Sequence, residues 1–271
     1  MKKNYIINNL LFVEVMTFVA GLFLIISNKN NNTAASSDDV ISYNNYYVEK
    51  YLSLSYDGIN NLHEDIDNRF MIDNVKNFDQ NLLNNYYNQN HTNQITGTCT
   101  IVACLGMINY YGNVKGEGKI NDSYYETFTN IFTNCYDSGY TSLSDGTSKT
   151  KVNDCLSKSF ETYNISRKGN TEWYYLESKI RDNTSNGNPV IFDVTNHSTV
   201  VIGLTRYIFD YQETYTTGAL WWKETKTRTS QSYKDFVIVN EGWGRINRSL
   251  IDCEKIKNIT SGMQICYAEA K

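Results

Sequence analysis

The chain has 271 residues, 41% of them hydrophobic and 20% charged, and a formal net charge of −4. That length accommodates one enzyme-sized domain plus a leader or pro-segment, and the balance is that of a globular protein. A small negative charge without any basic stripe excludes nucleic acid as the main partner. With 22 tyrosines against a single proline and many asparagines, composition reflects coding bias rather than function. Matches to Asn-x-Ser/Thr, such as Asn164-Ile165-Ser166 and Asn258-Ile259-Thr260, are expected by chance in so Asn-rich a chain.

Lys2 and Lys3 precede an apolar stretch, Leu10 to Ile26, interrupted by Glu14. Its cleaner core, Val15 to Ile26, is too short to span a bilayer comfortably. A polar run then leads to Ala34-Ala35-Ser36. A basic start, an apolar core and small residues at the exit predict a secretory signal peptide over 1–35, with an uncleaved anchor over 8–27 as the alternative. Either way the domain is exported, secreted or held at the cell surface, and a membrane enters only through that anchor. Residues 36–77, polar and weakly helical, read as a spacer or pro-segment. The globular domain is expected over 78–271, with Phe78 to Tyr87 as its lead-in.

Six cysteines in an exported chain raise the question of disulfides. Cys99, Cys104, Cys135, Cys155, Cys253 and Cys266 lack metal-type C-x-x-C spacing. A zinc site would need nearby histidines, and only His63, His91 and His197 exist. No metal and no cofactor is therefore expected. Cys135 with Cys155, or Cys253 with Cys266, are candidate bridges.

From Gln94 the texture changes. Gly97 breaks the chain, and Cys99 opens an apolar run in which Ile101, Leu105 and Ile108 recur at helical spacing. Cys104 lies beside that stripe. Cys99 is turned about 140° away from Cys104, in the first turn of the predicted helix. Further helical fragments are expected around Tyr124 to Thr133 and over Trp173 to Ile180. Pro189 then starts a strand, Val190 to Val194; His197 opens a second, Ser198 to Leu204; Phe236 to Asn240 form a third. The Tyr- and Trp-rich stretch Arg206 to Lys234 reads as a long β-ribbon or an excursion of strands. Its aromatics, Trp221 and Trp222 included, are expected to pack in the sheet. Helices first and strands afterwards predict an α+β domain with segregated halves.

A cysteine attacks carbonyls as its thiolate, which a helix N-terminus and a nearby imidazolium both favour. Gly97-Thr98-Cys99 at a helix start supplies the first, and His197, at a strand mouth, the second. Asn240 ends its strand immediately before Glu241-Gly242-Trp243-Gly244. If the strands of His197 and Asn240 pair antiparallel, the Asn240 side chain reaches the imidazole and orients it. Gly242 permits a tight turn, and Trp243 is placed to shield the pair or contact substrate. Gln94, five residues before Cys99, is a candidate oxyanion donor together with the Cys99 N–H.

The order Gln94, Cys99, His197, then Asn240 before a Gly-Trp-Gly turn resembles the papain-like cysteine peptidases. The closer likeness is to their compact bacterial branches, the C39-like and streptopain-like peptidases, and it covers about Phe78 to Ala270. Three departures stand out: Thr100 follows the cysteine, Glu241 follows Asn240, and the Gln94–Cys99 spacing is one residue short. Asn93 and Gln89 are substitutes for Gln94. The resemblance implies a helical half carrying Cys99 packed on an antiparallel sheet carrying His197 and Asn240. It implies a cofactor-independent hydrolase that cleaves peptide bonds through a thioester, with a peptide or protein as substrate. Two alternatives use the same fold: acyl transfer to an amine, as in transglutaminases, or a catalytically retired surface-binding module.

Overall fold

The structure is a computed structural model that describes residues 23–24, 47–174, 176–194, 197–219, 221–242, 249–257 and 263–271. In chain order the strands are β1 (Phe23–Leu24), β2 (Asp57–Met71), β3 (Arg167–Glu172), β4 (Val190–Val194), β5 (His197–Thr217), β6 (Glu224–Asn240), β7 (Ser249–Asp252) and β8 (Gln264–Ala270). The helices are α1 (Gln80–Asn90), α2 (Cys99–Asn109), α3 (Tyr124–Asp137), α4 (Val152–Thr162), α5 (Leu176–Ser185) and the short α6 (Cys253–Lys257). The protein is of mixed α+β class, with antiparallel strand pairing. Most of the predicted signal peptide or anchor lies outside the described residues. Among the described residues, no helix is long and apolar enough to cross a membrane.

The chain forms two compact units: Met1–Arg69 with Thr205–Phe236 and Ser249–Lys255, and Phe70–Leu204 with Val237–Arg248 and Ile256–Lys271. The division falls within β5 and β6.

The first unit is built on the ribbon of β5 and β6. Its rungs are cross-strand ion pairs and amide–hydroxyl bonds: Arg206 with Asp235 at 2.7 Å, Arg228 with Glu213 at 2.7 Å, and Gln212 with Thr229 at 3.0 Å. Tyr207, Phe209 and Phe236 are buried, with Val48 and Leu52 from a helical turn at 47–52. β1 pairs with β7, Phe23 opposite Ile251. The stretch expected to be weakly helical contains β2, fifteen residues of strand beside β5. Its side chains are mostly exposed or half-buried, so no clean alternation of polar and apolar residues marks it in the sequence. Aromatic packing within the sheet holds for Tyr207 and fails at the ribbon tip, where Trp221 is 88% and Trp222 60% exposed.

The second unit carries the larger core. Its sheet runs β6–β5–β4–β8–β3, with β4 antiparallel to both β5 and β8. β4 is buried at every position, as a central strand must be when both faces are covered. β3 and β8 were not foreseen, because Arg167–Glu172 is polar throughout and shows no period-two pattern. α2 is buried from Thr100 to Asn109, not on one stripe, so Ile101, Leu105 and Ile108 form one side of a helix enclosed all round. Gly106 brings α2 close to β5: a β-carbon there would sit 3.4 Å from Val200 Cγ2. α3 starts at a complete capping box, Ser123 with Glu126. α5 begins at Leu176, three residues later than predicted, leaving Trp173 and Tyr174 exposed.

Candidate active site

Cys99 is the first residue of α2, where backbone N–H groups have no intrahelical partner and the dipole is positive. Two glycines shape the approach. Gly97 has φ +65 and Gly146 φ +71, and a β-carbon on Gly146 would fall 2.2 Å from the Gly97 carbonyl oxygen. The loop around Gly146 also accepts the Thr96 N–H at Leu143 O (2.8 Å) and the Thr96 hydroxyl at Ser144 O (3.0 Å). On the other side Thr98 donates to Asn84 Oδ1 of α1 at 2.6 Å. The first turn of α2 is thus held from two directions.

That turn meets the head of β5. The Thr100 and Ser198 hydroxyls lie 2.8 Å apart, both buried. The Ser198 backbone N–H and hydroxyl and the Thr100 N–H lie at the Cys99 sulfur as hydrogen-bond partners. Burial nevertheless pushes the Cys99 thiol up, with the Asp193 charge adding to it, and hydrogen bonds, led by the Ser198 N–H, only partly offset this.

His197 opens β5, opposite Val194 of β4. Its Nε2 is 3.0 Å from the Glu241 backbone oxygen. A carbonyl can only accept, so in the neutral ring Nε2 carries the hydrogen and Nδ1 the lone pair. Burial holds His197 below the ordinary histidine range, against a smaller upward push from the Glu241 hydrogen bond.

The expected Asn240 contact takes a different form. Asn240 closes β6, and its Nδ2 donates to Val75 O at 2.9 Å; the imidazole is held one residue on, by the Glu241 main chain. Gly242, at φ +82, turns the chain, and its N–H donates to Asn77 Oδ1 at 3.0 Å. Gln80 N donates to Gly242 O at 2.7 Å. Residues 75–80 therefore clasp the end of β6. Val75 and Asn77 belong with the unit that carries the site, although they precede the predicted domain boundary at 78. Trp243 lies outside the described residues.

Gln94 is exposed, and its Nε2 donates to Asn88 O at 3.1 Å. That bond engages one of its two amide hydrogens and fixes the direction of the other. The Cys99 N–H stands at the head of α2, where first-turn N–H groups are left without intrahelical partners.

A polar row missed by sequence reasoning crosses the sheet beneath Cys99. Ser198, Asp193 and Gln264 stand opposite one another on β5, β4 and β8. Ser198 Oγ donates to Asp193 Oδ1 at 2.8 Å, and Gln264 Nε2 donates to Asp193 Oδ2 at 3.1 Å and to Lys149 O at 2.6 Å. All three residues are at most 5% exposed. Desolvation raises the Asp193 carboxyl; the bonds from Ser198 and Gln264 and the charge of Lys149 pull it back. The available signal was an aspartate inside the otherwise apolar Val190-Ile191-Phe192-Asp193-Val194.

A small cavity of about 10 Å³ adjoins the row, lined among others by Ser198, Val102, Asn77 and Asn240; it has room for about one water. Among the described residues, no group of three or more His, Cys, Asp or Glu is placed to hold a metal ion. No known protein family, curated protein or solved structure matches the chain.

Proposed function

We propose that the second unit is a papain-like cysteine hydrolase of exported type, with Cys99 as nucleophile and His197 as its base. The observation that carries this reading is the meeting of the α2 N-terminus with the head of β5, through the 2.8 Å contact of Thr100 with Ser198. It brings a cysteine at a helix start to the residue adjoining a histidine whose tautomer is set by a carbonyl.

Burial raises the thiol and lowers the imidazole. Both directions favour a neutral resting pair over the ion pair expected from the sequence. His197 Nδ1 then takes the thiol proton as sulfur attacks a peptide carbonyl. The oxyanion is met by the first-turn N–H groups of α2, with a Gln or Asn side chain from the 89–94 segment as a second donor. Returning the proton from His197 to the leaving amine yields a thioester, which water resolves. Asn240, tied to Val75, positions the strand end whose next carbonyl holds the imidazole.

The test is labelling with an irreversible epoxide inhibitor of thiol peptidases, followed by peptide mapping. One adduct is expected, on Cys99, formed about 100-fold or more slowly in His197→Ala. Adducts spread over several cysteines, or a rate indifferent to the histidine, would overturn the assignment.

A further inference from the structure

The polar row beneath Cys99 is more than buried packing. Ser198 has one hydroxyl proton and three neighbours that can accept it: Asp193 Oδ1 and Thr100 Oγ1, each at 2.8 Å, and the Cys99 sulfur. While Asp193 holds that proton, the Thr100 hydroxyl is left to donate to the Ser198 oxygen. The ionised carboxylate takes the proton, which leaves the sulfur with N–H donors only, from Ser198 and Thr100, and a nearby negative charge. We propose that Asp193 is a positioning residue that, through the Ser198 hydroxyl, decides whether the Cys99 sulfur has an O–H donor, and so how readily this cysteine becomes a nucleophile.

The surroundings make the assignment specific. Gln264 is pinned by two acceptors, Lys149 O and Asp193 Oδ2, which engage its amide hydrogens. It therefore presents a donor to one side of residue 193 in any variant that keeps the fold. In Asp193→Asn the side-chain oxygen must face that donor, which turns the new NH2 toward Ser198. The Asp193–Ser198 hydrogen bond reverses, and the Ser198 proton, no longer held by residue 193, becomes available to the sulfur, with Thr100 free to keep donating to the Ser198 oxygen. The other titratable groups acting around Asp193 are Lys149 before α4, Cys266 on β8 and Cys99 itself. None of these is altered by the substitution.

The measurement is the rate of Cys99 carbamidomethylation by iodoacetamide against pH, read by peptide mapping. Asp193→Asn is expected to move the midpoint at least about one unit downward, a tenfold gain in thiolate at a fixed pH below it. In a Ser198→Ala background the same substitution is expected to move it by less than half as much, since only direct charge repulsion remains. An unmoved or raised midpoint overturns the proposal, as does a shift that survives intact without the hydroxyl. If Asp193→Asn fails to fold, Ser198→Ala alone carries the test. The hydroxyl it removes gives the sulfur no donor as long as Asp193 holds its proton, so the midpoint is expected to stay or fall, and a raised value overturns the proposal. The idea rests on Cys99 as the reactive cysteine of the proposed hydrolase, but its readout needs no turnover. A shifted alkylation midpoint with no epoxide adduct would defeat the hydrolase and leave the Asp193 control standing; the converse result would do the reverse.

Discussion

Cys99 and His197 are half-buried in ways that oppose their charged forms. Burial is the largest influence on both, raising one group and lowering the other. For a neutral pair the active form is thiol with unprotonated imidazole. The acid limb of kcat/KM is therefore set by His197, and because its proton affinity is lowered, that limb falls below pH of about 6.5. The alkaline limb belongs to the thiol and lies above the ordinary cysteine value of about 8.5. A pH profile on a peptide substrate checks both. An acid limb near pH 4, set by a depressed thiol, would instead indicate a preformed ion pair. In the sequence, Cys99, His197 and Asn240 were recognisable from residue type and order alone. The identity of the group at His197 Nε2 was not, because a backbone carbonyl leaves no trace in the residue at that position. Gln94 shows another limit: its type suited the oxyanion, but residue type does not reveal that Asn88 O engages one of its amide hydrogens.

At the scale of elements, the position of Cys99 depends on a loop that no helix pattern predicts. Gly139 and Gly146 share φ +71, yet a β-carbon on Gly139 meets nothing within 4 Å, whereas one on Gly146 runs into the Gly97 carbonyl. Gly139→Ala should cost about 1 kcal/mol, the strain of a left-handed alanine. Gly146→Ala adds the clash and should cost about 2–4 kcal/mol. It should also slow epoxide labelling of Cys99 about tenfold through misplacement alone, while Gly139→Ala leaves labelling unchanged. Denaturant melts and labelling rates of the two variants separate strain from positioning; equal behaviour would mean that the Gly97–Gly146 contact does not set the geometry. Strand β4 and the first residue of α2 were readable from Pro189, the apolar run and Gly97. β2 and β3 were not, since strands with polar side chains on both faces draw their stability from ladder hydrogen bonds and neighbours far away in sequence.

For the molecule as a whole, the cysteines divide by environment. All six are thiols, but Cys104, Cys135, Cys155, Cys253 and Cys266 are buried and Cys99 alone is partly accessible. Cys135 and Cys155, the pair singled out from the sequence, are neighbours: the Cys135 sulfur donates to the Cys155 carbonyl oxygen at 3.7 Å, and the two thiols are hydrogen-bonded. Burial raises the Cys104 and Cys266 thiols, the latter to about 12, which removes the thiolate that thiol reagents need. Native protein should therefore react at one thiol per chain with a disulfide reagent at pH 8, and denatured protein at six. Fewer than six after denaturation without reductant would mean that a bridge, such as Cys135–Cys155, forms in the protein as isolated.

The residues by themselves determined the α+β class, the helix that starts at Cys99 and strand β4, and they offered the candidate nucleophile and base. Each depends on short-range periodicity or on the chemistry of a residue type. Only the tertiary structure decided that Ser198, Asp193 and Gln264 align across three strands, that residues 75–80 clasp Asn240 and Gly242, and that α2 is enclosed on every side. These follow from strand register and from packing between distant segments. A shift of one residue in register would turn every side chain to the opposite face, and no local pattern in this sequence specifies which register wins.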